Sequence, residues 1–131
     1  MALPDRYVAG LTPAQRLLQE KMIRKSQRQY ETTGKVSDRP RVSDKPTPRS
    51  SHAKRFEDKY GYKISDISRV KKDFPHVDVD GILAKGRAAY ASSGSRPNVT
   101  AEAWARARLA SALTGGKAAQ IDKKELSTDS R

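Results

Sequence analysis

YASSGSRPNVTAEAWARARLASALTGGKA, residues 90–118, stands in a chain otherwise crowded with Lys, Arg and Pro. The order of its residues reads as helix, loop, helix. Gly94 turns the chain, Pro97 holds Arg96 extended, and Asn98 or Thr100 offers an oxygen to the free N–H groups of the next helix. That helix is expected over 101–113, closed by Gly115 and Gly116. A short loop of this kind lays the two helices side by side and antiparallel, which brings Trp104, in the first turn of the second, near Tyr90. Alanines at 103, 105, 107, 110 and 112 permit close helix approach.

Two chemical readings compete with this structural one. TGGK at 114–117 has the Gly-Lys of a phosphate loop, but Ala118 stands where Ser or Thr belongs, and no strand precedes it. Two glycines after a helix are more simply a closing cap. SSGSRPN at 92–98 puts hydroxyls and Arg96 before a helix amino end, where anions are attracted. Capping accounts for most of the same residue types.

Working outward, Asp78 or Asp80 can open a helix that carries Val79, Ile82, Leu83, Gly86, Ala89 and Tyr90 on one side and ends near Gly94. Ser65 can cap a shorter one, 66–73, stopped by Pro75. Ser51 can cap another through about Lys59, ended by Gly61. With no run of alternating apolar residues, residues 51–126 are expected to form a small all-α domain, with a last turn around 121–126 and a tail at 127–131. Phe56, Tyr60, Tyr62, Ile64, Val70, Phe74, Ile82, Leu83, Leu109 and Leu113 are among its candidate core.

Residues 1–50 read as a basic arm. Thr12-Pro13-Ala14-Gln15 is a capping box with Pro in the first turn, so a helix is expected over about 13–30. Ala14, Leu17, Leu18, Met22 and Ile23 form a narrow apolar stripe, while Arg16, Lys21, Arg24, Lys25 and Arg28 cover much of the rest. Residues 31–50 hold Pro40, Pro46 and Pro48 and almost nothing apolar, the composition of a linker without a fold of its own. The arm alone cannot bury enough apolar surface to offset ordering costs of about 1–2 kcal/mol per residue. No internal repeat is evident.

The chain has 131 residues, 27 Lys and Arg against 15 Asp and Glu, and a formal net charge of +12. That balance implies an acidic partner: nucleic acid, an anionic membrane or an acidic protein face. Cysteine is absent, which excludes disulfides, thiolate metal sites and cysteine nucleophiles. No apolar run is long enough for a membrane span. His52 and His76 lack a metal-helix spacing, Asp78 and Asp80 do not share a helix face, and Ser92, Ser93 and Ser95 lack the frame of a nucleophile elbow. No catalytic role, cofactor, metal or small-molecule substrate is therefore expected.

The string joining Tyr90, SSGSRPN, Trp104, ARLAS at 107–111 and TGGKA at 114–118, followed by Asp122, resembles a family of small basic proteins of nucleocytoplasmic large DNA viruses of algae and amoebae. SSHAKRFEDKYGYKISDISRVKKDFPHVDVD and LPDRYVAGLT extend the resemblance over most of the chain. It implies a virion-associated protein, made in host cytoplasm, and marks Tyr90, Arg96, Asn98, Trp104, Arg108, Lys117 and Asp122 as motif positions. The expectation is a minor capsid component whose helical domain and extended arm tie neighbouring subunits together. Its partners would be the major capsid protein and other minor capsid proteins, with an anionic membrane surface also open. Arg16, Arg24, Lys25, Arg28, Tyr90, Arg96, Asn98, Trp104, Arg108 and Lys117 are the candidate partner-binding residues. The alternative is a DNA-binding protein for genome packaging, in which Arg16, Arg24, Lys25 and Arg28, with Lys54, Arg55, Lys71 and Lys72, contact phosphates without reading bases.

Overall fold

The computed structural model describes residues 3–44 and 50–115. A 3-10 turn, Asp5–Tyr7, precedes α1 (Pro13–Thr33), α2 (Ser51–Tyr60), α3 (Ile67–Asp73), α4 (Val79–Ser92) and α5 (Ala101–Leu113). No strand occurs among the described residues, and the protein is all-α. The turn expected at 121–126, the tail at 127–131, Lys117 and Asp122 lie outside the described residues.

Local chemistry sets the helix ends. The Thr12 hydroxyl accepts from the Gln15 N–H, and the Gln15 carboxamide oxygen accepts from the Thr12 N–H, a reciprocal capping box that opens α1. Ser50, rather than the expected Ser51, caps α2 by accepting from His52 and Ala53. Asp66, rather than Ser65, caps α3 by accepting from Arg69. Asp78 accepts from the Gly81 N–H in the first turn of α4. Gly34 and Gly61 close α1 and α2.

The chain divides into two compact units, each built from two stretches of sequence: Met1–Pro48 with Arg87–Trp104, and Arg49–Gly86 with Ala105–Arg131. The second unit has an apolar core. Phe56, Val70, Ile82, Ala105, Leu109 and Ala110 are sealed from solvent, with Ile64, Val79, Leu83, Ala112 and Leu113 around them. Each fully buried large side chain of this kind contributes about 1.5–3 kcal/mol. Gly86 is where the first half of α4 meets α5: a Cβ there would lie 2.6 Å from the Ala105 Cα, so only hydrogen fits. Tyr60 donates its hydroxyl proton to the Leu113 carbonyl at 2.9 Å, satisfying an acceptor that the end of α5 leaves open.

The first unit corrects the expected arm. Residues 31–33 belong to α1, residues 34–44 are not a linker without structure, and 3–44 do not stand apart as an arm. Instead α1 and the segment after it fold against the end of α4, the 93–100 loop and the start of α5. Apolar burial here is smaller, with Tyr7, Val8, Ile23, Val42, Tyr90, Ala91 and Ala101 enclosed. Hydrogen bonds between distant residues do the rest, which is why an apolar-pattern reading of 31–44 finds nothing.

The apolar stripe expected on α1 is likewise split. Ile23 is fully buried, and Gln19 is buried beside it with its carboxamide donating to the Ser95 carbonyl. Leu17 and Leu18 face outward, 71% and 46% exposed.

Candidate functional site: a clamped loop and a cationic helix face

Two features of the first unit collect most of the residues singled out above. One is the 93–100 loop with the segment that grips it. The other is the outer face of α1.

Arg39 is the centre of the grip. Its guanidinium lies over the Tyr90 ring, 3.8 Å from the centroid. One terminal nitrogen, Nη1, donates to the Tyr90 carbonyl at 2.8 Å and to the Ser26 hydroxyl at 3.1 Å, and Nη2 donates to the Ser95 hydroxyl at 2.7 Å. The planar fork of Arg suits this simultaneous stacking and donation, which an ammonium would not reproduce. The Arg39 N–H donates to the Tyr90 hydroxyl at 2.8 Å, and that hydroxyl donates to the Val99 carbonyl at 3.0 Å. Burial lowers the Arg39 guanidinium from its ordinary value, opposed by Tyr90, Tyr7 and Asp38. Burial raises the Tyr90 hydroxyl, opposed by its bond from Arg39.

Asn98 is the second contact point. Its φ of 64° is the left-handed conformation that Asn tolerates better than most residues. Its side-chain oxygen accepts from the Val42 N–H at 2.8 Å, and its nitrogen donates to the Ser43 hydroxyl at 2.9 Å and carbonyl at 3.3 Å. Gly94 has φ 133°, and a Cβ there would sit 2.9 Å from the Tyr7 ring.

Asp38 answers the phosphate question raised by SSGSRPN. Its carboxylate accepts from the Ala101 N–H at 2.7 Å, and the Thr100 hydroxyl accepts from the Ala103 N–H at 3.1 Å. An internal anion already fills the place at the start of α5 where an external one would bind. Ser95 is buried and spent on Arg39 and on the Arg96 carbonyl.

The structure thus separates the candidate residues. Tyr90 is fully buried, so it holds the fold and cannot meet a partner in the folded state. Asn98 is half-buried and committed to the clamp. Trp104 is half-buried and meets Tyr7 edge-on, ring centroids 6.1 Å apart. Arg96 is exposed, and Arg108 is half-buried in the second unit. Arg16, Arg24, Lys25 and Arg28 are all exposed on α1. Lys54, Arg55, Lys71 and Lys72 are exposed in the second unit, with Lys71 paired to Asp80 at 3.0 Å.

Sequence reading missed Gln19, Ser26, Asp38, Arg39, Val42 and Ser43. A signal for them does exist in a short doubled pattern, which corrects the reading that the chain has no internal repeat. Arg-Pro-x-Val-Ser/Thr occurs twice, as Arg39-Pro40-Arg41-Val42-Ser43 and as Arg96-Pro97-Asn98-Val99-Thr100, and the two copies meet at the clamp through Val42 and Ser43 on Asn98.

Among the described residues, no group of three or more His, Asp or Glu side chains is placed to hold a metal ion, and no helix is long and apolar enough to cross a membrane. The second-unit aromatics carry cations on their faces: Arg69 lies 4.1 Å from the centroid of Tyr62 and Lys59 5.4 Å from that of Tyr60. Burial pushes the Tyr62 hydroxyl up to about 12, with the Asp73 carboxylate acting in the same direction and Arg69 against it.

No curated protein and no solved structure matches the chain. A family model does, over residues 4–129, a span that takes in the clamp, α1 and both units. The chain belongs to that family, a family of unknown function (DUF5824).

Proposed function

We propose that the protein is a structural component of a virus particle, a minor capsid protein that ties neighbouring subunits together by docking acidic surfaces with the outer face of α1. The observation that supports this most is the division of labour within α1. Its inner face, with Gln19, Ile23, Ser26 and Gln27, is committed to the fold, while Arg24, Lys25 and Arg28 stay exposed on the same helix as two exposed leucines. A surface so arranged recognises a partner by charge and an apolar anchor, with no chemistry required of it. The likeness of the SSGSRPN and TGGKA strings to virion-associated proteins of large DNA viruses points the same way. Because residues 31–44 are folded, the ties run through the surface of a formed unit rather than through a loose thread.

Genome packaging is the competing reading, and the charge of +12 favours it. Leu17 and Leu18, exposed on the cationic helix, favour the structural role, since they add nothing to phosphate contacts. Stripping purified particles first with detergent and then with salt separates the two. Release together with shell proteins is expected; retention with the genome until salt is raised would overturn the capsid reading.

A further inference from the structure

Leu17 and Leu18 are the exposed large hydrophobic residues among those described, and they are neighbours on one helix. At 3.6 residues per turn each residue advances about 100° around the helix axis. On that wheel Leu17, Leu18, Lys21, Arg24, Lys25 and Arg28 fall within one arc of about 120°. All six are exposed. Glu31 and Glu20 lie outside this arc, about 20° and 40° beyond its Arg24 edge, and the inward residues Gln19, Ile23 and Ser26 lie opposite. The arc therefore holds two leucines toward its amino-terminal end and four cations after them, with Ala14 and Thr32 at its two ends and no carboxylate within it.

We infer that this face of α1 seats the protein on an anionic lipid bilayer, Leu17 and Leu18 entering the headgroup boundary and Lys21, Arg24, Lys25 and Arg28 lying among acidic headgroups. The inference rests on the reading above that the outer face of α1 is the docking surface, and it names the surface. Charge complementarity requires an acidic partner, and the layout selects among acidic partners. A protein groove holds a helix by apolar anchors repeated at i, i+3, i+4 and i+7. Here Lys21 and Arg24 stand at i+4 and i+7 from Leu17, Lys21 and Lys25 stand at i+3 and i+7 from Leu18, and the one apolar side chain that continues the spacing, Met22, is half-buried and lies outside the arc. Duplex phosphates would leave the leucines in water. A plane of anionic headgroups over an apolar layer matches both parts, as surface-lying amphipathic helices do. The helix rests on such a surface and does not cross it.

Sedimentation of the full chain with vesicles tests this, comparing phosphatidylcholine alone with phosphatidylcholine containing phosphatidylserine. Binding is expected only to the anionic vesicles and should fall steeply as NaCl rises. Each neutralised cation should weaken it by a factor of about 5, so the Lys21, Arg24, Lys25 and Arg28→Gln variant loses binding by a factor of several hundred. Leu17→Gln with Leu18→Gln should lose on the order of 10-fold. Removing the same charge from exposed positions of the second unit, with Lys54, Arg55, Lys63 and Lys72→Gln, should leave binding within about 3-fold, as expected if the α1 face carries the contact. Unchanged helical circular dichroism shows that each variant is folded.

Equal binding to both vesicle types, or a leucine variant that binds as wild type, overturns the lipid assignment. If, in addition, duplex DNA or an acidic shell protein binds in a way that needs the four α1 cations, the docking face stands and only its partner changes. If no binding depends on those cations, the docking reading falls as well.

Discussion

Arg39 shows how one side chain can organise a segment that carries almost no apolar residues. Its guanidinium stacks on Tyr90 and donates to three oxygens that belong to two other parts of the first unit, α1 and the end of α4 with its following loop. Lysine would keep the charge but lose the flat stack and the fork, leaving acceptors such as the Tyr90 carbonyl without their donor. Arg39→Lys should destabilise the protein by about 2 kcal/mol in urea unfolding, whereas Arg96→Lys, at an exposed position, should stay within about 0.5 kcal/mol of wild type. Tyr62 supplies a pH-dependent counterpart. Its folded-state pKa, about 12, is raised above the ordinary value of 10.0. The unfolded chain therefore ionises first, so the contribution from neutral Tyr62 is complete below pH 10 and is lost as pH rises toward 12. Tyr62→Phe removes that dependence. The difference in Tm between wild type and Tyr62→Phe, followed across this range, should shift against wild type; a flat difference would show that the hydroxyl does not titrate in this way.

Among the elements, what was legible in the sequence and what was not follow a physical line. Caps are local, so the starts of α1 and α5 and the ends at Gly61 and Gly115 can be read from two or three neighbouring residues, whereas α1 runs past the expected 30 to close at Gly34. The apolar core of the second unit is legible too, because Phe56, Val70, Ile82 and Leu109 are large and sit on helices. The clamp is different. Asp38, Arg39, Val42 and Ser43 find their partners more than fifty residues away, except for the bond from Arg39 to Ser26. Nothing in a proline-rich polar segment announces contacts of that range, and only the doubled Arg-Pro-x-Val-Ser/Thr pattern hints that the two stretches belong together. Asp38 joins the two kinds of signal, since it caps α5 from a remote part of the chain. Asp38→Ala should cost about 1 kcal/mol, the usual worth of a cap, and should speed amide exchange first in the opening turn of α5. Exchange that quickens evenly over the whole chain would mean that Asp38 does not act on that helix end.

Across the whole molecule, cations outnumber anions far enough to leave a formal charge of +12. The ion pairs Arg69–Asp73 and Lys71–Asp80 have largely exposed side chains, and pairs of that kind contribute about 0–1 kcal/mol each. Self-repulsion among so many cations opposes the compact state, and salt screens it. Raising NaCl from about 20 mM to about 200 mM should therefore raise Tm by a few degrees, a gain on the order of 1 kcal/mol for a chain of this size. A protein held together by its surface ion pairs would respond in the opposite direction. Screening has a limit, and a bound partner goes past it, because any ligand that prefers the folded state adds a stabilisation that grows with its concentration. At about 20 mM NaCl, an acidic surface that occupies the cations of α1 should raise Tm beyond the level that added NaCl alone reaches. The same surface should have no such effect on the chain in which Lys21, Arg24, Lys25 and Arg28 are neutral. An equal shift in both chains would mean that the anion acts on the net charge alone, and that α1 presents no special face to its surroundings.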